Sequence, residues 1–329
     1  MTPLKVLFIG GTGRVSATCA ALAIAQGMEL TFLNRGTKTP RAVPPDVTVL
    51  HADIRDEQAA RAAIGDRKFD VVVNWVAYTA EHIATDIRLF RDRIFQYIFI
   101  SSASAYQKPV GRLPIRESTP LHNPYWQYSR DKIAAEDLLI SAYRETGFPG
   151  TIVRPSHTYD FTSIPILGGW TAVDRMRRGE PVIVHGDGTS LWALTHHEDF
   201  ARAFMPMLAH PQTIGEAFHI TTDQVLTWNQ IYESLGRAAG VEPKLVHLSS
   251  AQIAKILPDR GPGLLGDKAH SVIFDNTKIR QIAPGWHAVI PWSVGARQVI
   301  EWHDADASRR AIDPEMDAAI TAMVNLARD

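Results

Sequence analysis

A short apolar strand that runs into a glycine-rich turn and then a helix is the feature that most constrains the fold of this chain. The run Lys5-Val-Leu-Phe-Ile9 is typical of a strand covered on both faces. Gly10-Gly-Thr-Gly13 follows at once, and residues 17–26 form an alanine-rich helical stretch. Glycines let the backbone approach a pyrophosphate, and the helix N-terminus offers free N–H groups. The segment therefore predicts a dinucleotide phosphate site, with Ser16 in place of the usual third glycine.

Strand and helix patterns alternate through the first half of the chain. Strand-like runs at 29–33, 47–51, 70–74 and 97–101 are separated by short turns and by helical patterns at 58–64 and 81–93, and a sixth strand is predicted at 150–155. This alternation predicts an α/β fold with a parallel, doubly wound sheet, whose ligands bind at the carboxyl ends of the strands. Gly10, Asn74, Ala77 and Ser102 all lie at such ends.

Tyr128 and Lys132 are four residues apart in a predicted helix, so their side chains share one face. A nearby ammonium favours the phenolate, and we expect it to pull the pKa of the phenol down from about 10 toward neutrality. The pair then suits acid–base chemistry. A half-buried tyrosine beside a lysine with its head in solvent is the alternative interpretation.

The residues after the second strand bear on the choice of dinucleotide. No acidic residue is present at Asn34-Arg35-Gly36 to bind a ribose diol, and Arg35 with Lys38 would suit a 2′-phosphate. NADP(H) is therefore favoured over NAD(H), with a solvated loop charge as the alternative interpretation of Arg35. Asp53 has two interpretations, as an acceptor for the adenine amino group with Ile54 against the ring, or as a helix N-cap.

Composition argues against several classes of partner and indicates the compartment. The net charge is −1 with no basic block, which argues against nucleic acid or an anionic membrane as a partner. The one cysteine, Cys19, lies in a helical pattern and fits a reducing, cytoplasmic compartment. No export signal or membrane span is predicted. No metal site is predicted, because the adjacent His196 and His197 should not share a face and no third ligand has suitable spacing.

The ordered set of motifs resembles the extended short-chain dehydrogenase/reductase family, in its NAD-dependent epimerase/dehydratase branch. The resemblance covers nearly the whole chain and includes a bacterial subgroup distantly similar to chloroplast stem-loop RNA-binding proteins. It implies a Rossmann-type sheet. The motifs that carry it are Gly10-Gly-Thr-Gly13, Asp53-Ile54, Ser101-Ser102-Ala-Ser104-Ala-Tyr106, Tyr128-xxx-Lys132, Val153-Arg154-Pro155, Gly186-Asp-Gly188 and His196-xx-Asp199.

The resemblance implies a role for each matching residue. Tyr128 would be the general acid/base, Lys132 would hold the nicotinamide ribose and lower the tyrosine pKa, and Ser102 would bind the reacting oxygen. Ser101 is the rival for that last role, because neighbouring strand residues face opposite ways. The implied cofactor-binding residues are Gly10, Thr12, Gly13, Arg14, Val15, Asn34, Arg35, Asp53, Ile54, Asn74, Val76, Ala77, Pro155 and His157. The implied substrate-binding residues are Ser104, Tyr106, His157 and Trp192.

Two departures from the family pattern narrow the reaction. Dehydratases of this family carry an Asp-Glu pair where this chain has Ala103 and Ser104, so sugar dehydration is rejected. Nucleotide-sugar enzymes usually have an arginine at the position of Trp192, so a smaller or less charged ligand stacking on an aromatic ring is favoured, with plain core packing of Trp192 as the alternative. His157 is interpreted as structural in preference to a second acid/base.

The sequence thus predicts an NAD(P)-dependent oxidoreductase or epimerase acting on a secondary hydroxyl or keto group of a sugar-like small molecule. A nucleotide-sugar epimerase and a non-catalytic cofactor-sensing or RNA-binding protein remain the alternatives.

The domain prediction places the dinucleotide-binding domain at 1–160, with 193–226 contributing a returning strand and helix. Residues 161–329 then form mostly a smaller substrate-binding lobe and a C-terminal helix at 314–327. Residues 258–266 are predicted to be a flexible loop at the edge of a lid. The segment between the fourth and fifth strands is too short for the family's usual two helices, which removes part of a common dimer surface and leaves assembly as a homodimer open.

Overall fold

Seven strands pair in parallel into one sheet in the computed structural model, which describes residues 2–36 and 41–328. The predicted doubly wound parallel sheet is confirmed. The seven strands are β1 (Lys5–Ile9), β2 (Glu29–Asn34), β3 (Thr48–His51), β4 (Phe69–Asn74), β5 (Ile94–Ile100), β6 (Gly150–Pro155) and β11 (Ala217–Ile220). Shorter strands are β7 (His157–Tyr159), β8 (Val182–His185), β9 (Leu191–Trp192), β10 (Leu194–His196), β12 (Leu226–Thr227) and β13 (Leu245–Leu248).

The order of the strands determines where a ligand can bind. It runs β11-β6-β5-β4-β1-β2-β3, so β1 lies between β4 and β2. The chain winds outward from β1 in one direction and then, from β4, in the other. The crevice beyond the carboxyl ends of β1 and β4 is therefore the switch point where ligands bind in such sheets.

Both faces of the sheet are buried, which explains the continuous apolar runs. Val6 and Phe8 point into one core with Phe200 and Phe204, whereas Leu7 and Ile9 point into the other. Successive side chains of a strand alternate between faces, so a central strand must be apolar at every position.

Helices cover these two faces and build a second lobe. They are α1 (Ser16–Ala25), α2 (Glu57–Ile64), α3 (Ala80–Phe90), α4 (Gln127–Thr146), α5 (Gly169–Arg177), α6 (His197–Phe204), α7 (Trp228–Ala238), α8 (Ser250–Ile256), α9 (Gly261–Gly263), α10 (Thr277–Ile282), α11 (Trp292–Asp304) and α12 (Pro314–Leu326). The lobe is centred on the parallel pair β8–β13 and on a core that contains Trp192, Trp228 and Trp292. None of the helices described in residues 2–36 and 41–328 is long and apolar enough to cross a bilayer.

Two local expectations are wrong. Residues 258–266 are not a loop, because Pro258–Arg260 forms a 3₁₀ turn that continues through α9 into a π-helical turn at Leu264–Lys268. The helix predicted at 81–93 ends at Phe90, since Asp92 has φ of 62° and β5 already begins at Ile94. Trp286, although it lies far along the second half of the chain, packs into the core beneath β1.

Candidate active site

The glycine-rich turn after β1 leaves its backbone open to a phosphate. Gly10 has φ of +84°, and a Cβ at this position would lie 2.6 Å from Val76 Cγ1, so only glycine fits. Ser16 closes the turn, because its hydroxyl accepts from the Gly13 N–H at 2.8 Å and donates to the Gly10 carbonyl at 2.9 Å. Nothing in the sequence pattern indicates these two hydrogen bonds of Ser16.

A crevice of about 280 Å³ extends from this turn across the ends of β1, β2 and β3, and we call it the dinucleotide crevice. It brings together eight of the predicted cofactor residues at the switch point. Its wall is formed by Ile9, Gly10, Thr12, Gly13, Leu33, Asn34, Arg35, Gly36, Ala52, Asp53, Ile54, Arg55, Val76 and Tyr78.

The far end of the crevice has donors that a dinucleotide would satisfy. The Asn34 side-chain N–H group is buried without an acceptor in the described chain, and it lies where a ribose-binding acid is often found. Arg35 is exposed at the wall. The Asp53 carboxylate accepts from the Arg55 N–H at 3.0 Å, while Asp56 caps α2, so the N-cap interpretation of Asp53 is wrong. Lys38 lies outside the described residues.

Six other predicted cofactor residues do not line the crevice, and two of them, Pro155 and His157, line a cavity next to Tyr128 that is described below. Asn74 is occupied inside the protein, because its amide donates to Asp86 at 2.6 Å and accepts from the Val76 N–H. Asn74 and Ala77 line a separate cavity of about 290 Å³ instead. Arg14 is exposed beside the turn, and Val15 packs on the core where α1 begins.

Helix α4 brings Tyr128 and Lys132 beneath the exit of β4. The Lys132 ammonium is buried and donates to the carbonyls of Ala77 at 2.6 Å and Ile100 at 2.8 Å. It also lies 4.8 Å from the centre of the Tyr78 ring and 5.7 Å from that of Tyr128. The lysine therefore joins α4 to the ends of β4 and β5, rather than extending into solvent.

The expected depression of the tyrosine pKa is not found. Burial raises the pKa of Tyr128 to about 12, while the nearby Ser102 hydroxyl acts in the opposite direction. Burial lowers the pKa of Lys132 to about 7, against the attraction of Glu136. A lysine held by two carbonyls under the ring is too weak a counter-charge to offset the desolvation of the phenolate.

Next to Tyr128 lies a cavity of about 200 Å³, which we call the reaction cavity. Ser102 and Tyr128 both line it, whereas Ser101 does not. The Ser101 hydroxyl faces the other way and donates to Glu136. Of the two candidate serines, only Ser102 therefore shares a space with the phenol. The wall comprises Ser102, Ala103, Ser104, Trp126, Tyr128, Pro155, Ser156, His157, Trp192, Ala193, Asp267, Lys268, Val272 and Phe274.

The predicted substrate residues divide into two groups. Ser104 lines the cavity and is held at 2.9 Å from the Ser102 hydroxyl and at 2.8 Å from that of Ser129. Tyr106 does not reach the cavity, which corrects its assignment as a substrate contact. Its ring is fully buried and its hydroxyl is 2.9 Å from His219 Nδ1, because the chain turns into the core after Ser104.

His157 and Trp192 form one unit in the cavity wall. The Trp192 indole donates to His157 Nδ1 at 3.1 Å. Burial lowers the pKa of His157 to about 3, helped by the charges of Lys268 and Arg14, so the imidazole is neutral. This agrees with a structural histidine. Trp192 is buried against Trp228, as the core-packing interpretation expects, and it also lines the cavity.

A larger cavity of about 460 Å³ adjoins the reaction cavity, and we call it the distal cavity. The two share Trp126, His157 and Lys268 as wall residues. The distal cavity continues into the lobe between α7 and the start of α12, and its wall includes Ile166, Leu167, His185, Trp228, Tyr232, Asp259, Arg260, Leu264, Asp313 and Met316.

His196 and His197, which were expected to point apart, bring their ring nitrogens close together. Ligand atoms of His196, His197 and Glu198 come within 4.8 Å of one another, so the geometric reason for predicting no metal is wrong. Protein groups occupy both ring nitrogens of His196, however, since Nε2 lies 2.8 Å from Gln298 Oε1 and Nδ1 accepts from the Glu198 N–H. His197 Nδ1 is 2.6 Å from the Thr18 hydroxyl. The donor set is thus largely used within the protein.

Sequence reasoning missed Tyr78 and Lys268. Tyr78 lines the dinucleotide crevice and lies 6.2 Å from Tyr128 between ring centres. Its position one residue after the predicted Val76-Ala77 turn was a usable signal. Lys268 is contributed by the π-helical turn, about 140 residues after α4 begins, and no local pattern connects the two.

Residues 6–221 match the model described as "NAD dependent epimerase/dehydratase family". The chain belongs to this family. It is accordingly an enzyme of the extended short-chain dehydrogenase/reductase type, and the resemblance stated from its motifs is confirmed.

Individual relatives are distant. The chain is 24% identical to the 2′-dehydrokanamycin reductase of Streptomyces kanamyceticus, over 86% of this chain and 80% of the relative. It is 26% identical to a chloroplast stem-loop binding protein of Arabidopsis thaliana, over 74% and 65%. The solved structure of an epimerase from Methanothermobacter thermautotrophicus aligns with a TM-score of 0.77 at 14% identity, covering 93% of this chain and 94% of the other. That likeness establishes the fold alone.

Proposed function

We propose that this enzyme oxidises, reduces or epimerises a secondary hydroxyl or keto group of a sugar-like small molecule. The observation that supports this most is that Ser102 and Tyr128 line one cavity, with Lys132 fixed beneath the phenol. The dinucleotide crevice lies on the other side of Tyr78. A substrate oxygen in the reaction cavity would therefore meet two hydroxyl groups near the nicotinamide end of a bound dinucleotide.

Each residue has a defined task in this proposal. Tyr128 moves a proton to or from the substrate oxygen, and Ser102 orients that oxygen by a hydrogen bond. Lys132 holds the ribose hydroxyls and fixes the helix that carries Tyr128. A phenol with a pKa of about 12 is a donor at neutral pH, which suits protonation of a developing alkoxide during reduction. The dinucleotide, when bound, supplies or accepts the hydride.

The groups that line the dinucleotide crevice suit a dinucleotide. The unpaired Asn34 amide needs an acceptor, and the Gly10 turn leaves room for a pyrophosphate at the start of α1. We propose NADP(H) over NAD(H), because Arg35 and Arg55 line the adenosine end. We also retain the proposal of a cytoplasmic location, on the basis of the lone, buried Cys19.

Dehydration is not part of the proposal. Ala103 and Ser104 occupy the positions that hold an acidic pair in dehydratases, and neither can exchange a proton as a carboxyl group does. Asp267 is a carboxylate in the wall of the reaction cavity, but it pairs with the buried Lys108 at 3.7 Å.

Replacing the phenol tests the catalytic assignment. Tyr128→Phe should lower turnover of any accepted substrate by at least about 100-fold, the usual contribution of a positioned acid/base. Nicotinamide dinucleotide should bind with unchanged affinity, measured by fluorescence titration. Turnover is followed by nicotinamide absorbance for net redox and by product analysis for epimerisation, in which cofactor is not consumed.

Trp302→Phe serves as the matched aromatic control, because Trp302 packs on Phe161 in the lobe and lines neither site cavity. Full activity of Tyr128→Phe would remove the catalytic assignment. Specific RNA binding without turnover would instead favour the alternative suggested by the stem-loop binding relative.

A further inference from the structure

Lys268 is a cation without a counter-charge at the junction of the two cavities. Its ammonium lies 6.0 Å from the centre of the Trp126 ring and 5.9 Å from that of Trp192. Within residues 2–36 and 41–328, no carboxylate lies within 4 Å of it. The neighbouring carboxylate, Asp267, pairs with Lys108. The two indoles hold the ammonium in place by cation–π attraction and leave its hydrogen-bond donors free.

The carboxylates in the walls around Lys268 either have other partners in the protein or lie at the rim. Burial lowers the pKa of His157 to about 3 and that of His185 to about 4, so both imidazoles are neutral. The Asp313 carboxylate accepts from two N–H groups at the start of α12. Asp259 and Arg260, of opposite sign, are exposed at the rim.

A second donor in the same wall lacks an acceptor. Trp228 is 1% exposed, and its indole N–H has no hydrogen-bond partner in the described part of the chain. Buried donors are normally satisfied, so an orphaned N–H in a cavity wall indicates a group that arrives with the ligand. Lys268 and Trp228 both line the distal cavity, and each has a donor without an acceptor in the described part of the chain.

We propose that Lys268 binds an anionic group of the substrate, a carboxylate or a phosphate, beyond the reacting ring. The reaction cavity of about 200 Å³ has room for one monosaccharide-sized group, and the anion would lie where it opens into the distal cavity. This inference rests on the proposed function, which puts the reacting ring of the substrate in the reaction cavity. It adds the substrate class, which is an acidic or phosphorylated sugar-like molecule.

Isothermal titration calorimetry on the protein saturated with dinucleotide tests the proposal. The probes are glucose 6-phosphate, glucuronate and neutral glucose, which separate a phosphate from a carboxylate. We expect at least one anionic probe to bind at least about tenfold more tightly than glucose, the ratio that a charge-assisted hydrogen bond provides. Lys268→Met should abolish this preference, and Lys268→Arg should retain most of it.

Lys255→Met is the matched control, because Lys255 is an exposed lysine of α8 in the same lobe that lines neither cavity. It should leave the preference unchanged. Equal binding of the three probes, absence of binding by both anions, or a preference that survives in Lys268→Met would each overturn the proposal.

The same titration on Tyr128→Phe separates this proposal from the catalytic one. The phenol is not needed to hold the anion, so the preference should persist in this variant. A preference for anions together with a fully active Tyr128→Phe would leave the anion site standing and remove the catalytic assignment.

Discussion

At the scale of single residues, Ser16 determines the shape of the phosphate turn more than the glycines alone do. Its hydroxyl holds both ends of the turn, and its side chain is 1% exposed. A glycine at this position would free the backbone but supply neither hydrogen bond. In place of the usual third glycine, this chain therefore closes the turn with the two hydrogen bonds of Ser16.

Ser16→Ala should loosen this turn. Removing the hydroxyl leaves the Gly13 N–H and the Gly10 carbonyl without a partner, which costs about 1–3 kcal/mol for buried groups. We expect a lower thermal unfolding midpoint and weaker dinucleotide binding, both measured on the purified protein.

Ser293→Ala controls for the loss of a serine hydroxyl, because Ser293 is exposed at the start of α11. It should change neither quantity. Unchanged dinucleotide affinity in Ser16→Ala would show that the turn keeps its shape without the two bonds.

Arg35 is the residue on which the choice between NADPH and NADH depends most. An exposed guanidinium at the crevice wall gains a bidentate partner from a 2′-phosphate and almost nothing from a ribose hydroxyl. Arg35→Ala should therefore weaken NADPH binding by about tenfold or more and leave NADH binding nearly unchanged.

Fluorescence titration of both dinucleotides against both proteins measures this. Arg67→Ala is a suitable control, because Arg67 lies beyond α2 and donates only to backbone carbonyls there. A wild-type protein that clearly prefers NADH would contradict the proposal.

At the scale of elements, one face of α4 carries the residues that fix the site to the sheet. Tyr128, Lys132 and Glu136 follow at intervals of four, and Glu136 pairs with Arg154 of β6 at 2.5 Å. Lys132 bonds the ends of β4 and β5, as described above. The phenol is therefore positioned by a helix that is attached to three strands.

A second buried network joins β4, α3 and β5 through Asp86. Its carboxylate accepts from Tyr97 and Asn74, and its Oδ1 atom is buried without a partner. Burial raises the pKa of Asp86 from 3.8 to about 7, against the effect of these two hydrogen bonds. The folded protein thus keeps a proton that the unfolded chain releases between about pH 4 and 7.

The stability of the protein should accordingly fall as pH rises through this window and stay low above it. The stabilisation that depends on the proton is full below pH 4, where both states are protonated, and is lost as pH passes about 7. Asp86→Asn removes the titration. Its unfolding free energy relative to the wild type should therefore increase with pH, by on the order of a few kcal/mol at pH 8.

Comparing thermal unfolding of the two proteins from pH 4 to pH 8 cancels the other titrating groups. Asp92→Asn, at an exposed turn residue, should show no such trend. A difference between Asp86→Asn and wild type that does not vary with pH would mean that Asp86 is already ionised in the folded protein at low pH.

The elements that sequence predicted best are those whose pattern is local. The strands from β1 to β6, and the helix that carries Tyr128, are marked by continuous apolar runs and by glycine turns. The errors concern long-range packing. Nothing near Tyr106 in the sequence indicates that its hydroxyl meets His219. The proline- and glycine-rich run at 258–266 is helical and packs against α8.

The same limit applies to the site. The Ser102, Tyr128 and Lys132 motif could be identified from spacing, but the pKa of Tyr128 depends on burial by residues that lie far away in sequence. Lys268 and Asp267 reach the cavity from the lobe, so only the folded chain shows that they face Tyr128 and Trp126.

At the scale of the whole molecule, the dinucleotide-binding half is completed by segments from the second half of the chain. Strand β11 forms one edge of the sheet, and Phe200 and Phe204 of α6 pack beneath β1. Trp286 enters the same core from beyond α10, and its indole donates to the Asp199 carbonyl at 2.9 Å. The two halves should therefore unfold together.

Trp286→Ala tests this coupling at a position far from both cavities. The side chain is 6% exposed, so its removal leaves a large hole in the core under β1 and removes the hydrogen bond to the Asp199 carbonyl. Truncation of a buried tryptophan costs about 3–5 kcal/mol. We expect the denaturant midpoint to fall, in one transition seen alike by circular dichroism and by dinucleotide binding. Val289→Ala, at a 62% exposed side chain three residues further on, should change neither. If dinucleotide binding survived beyond the loss of the remaining structure in Trp286→Ala, the first half would fold without the residues that complete its core.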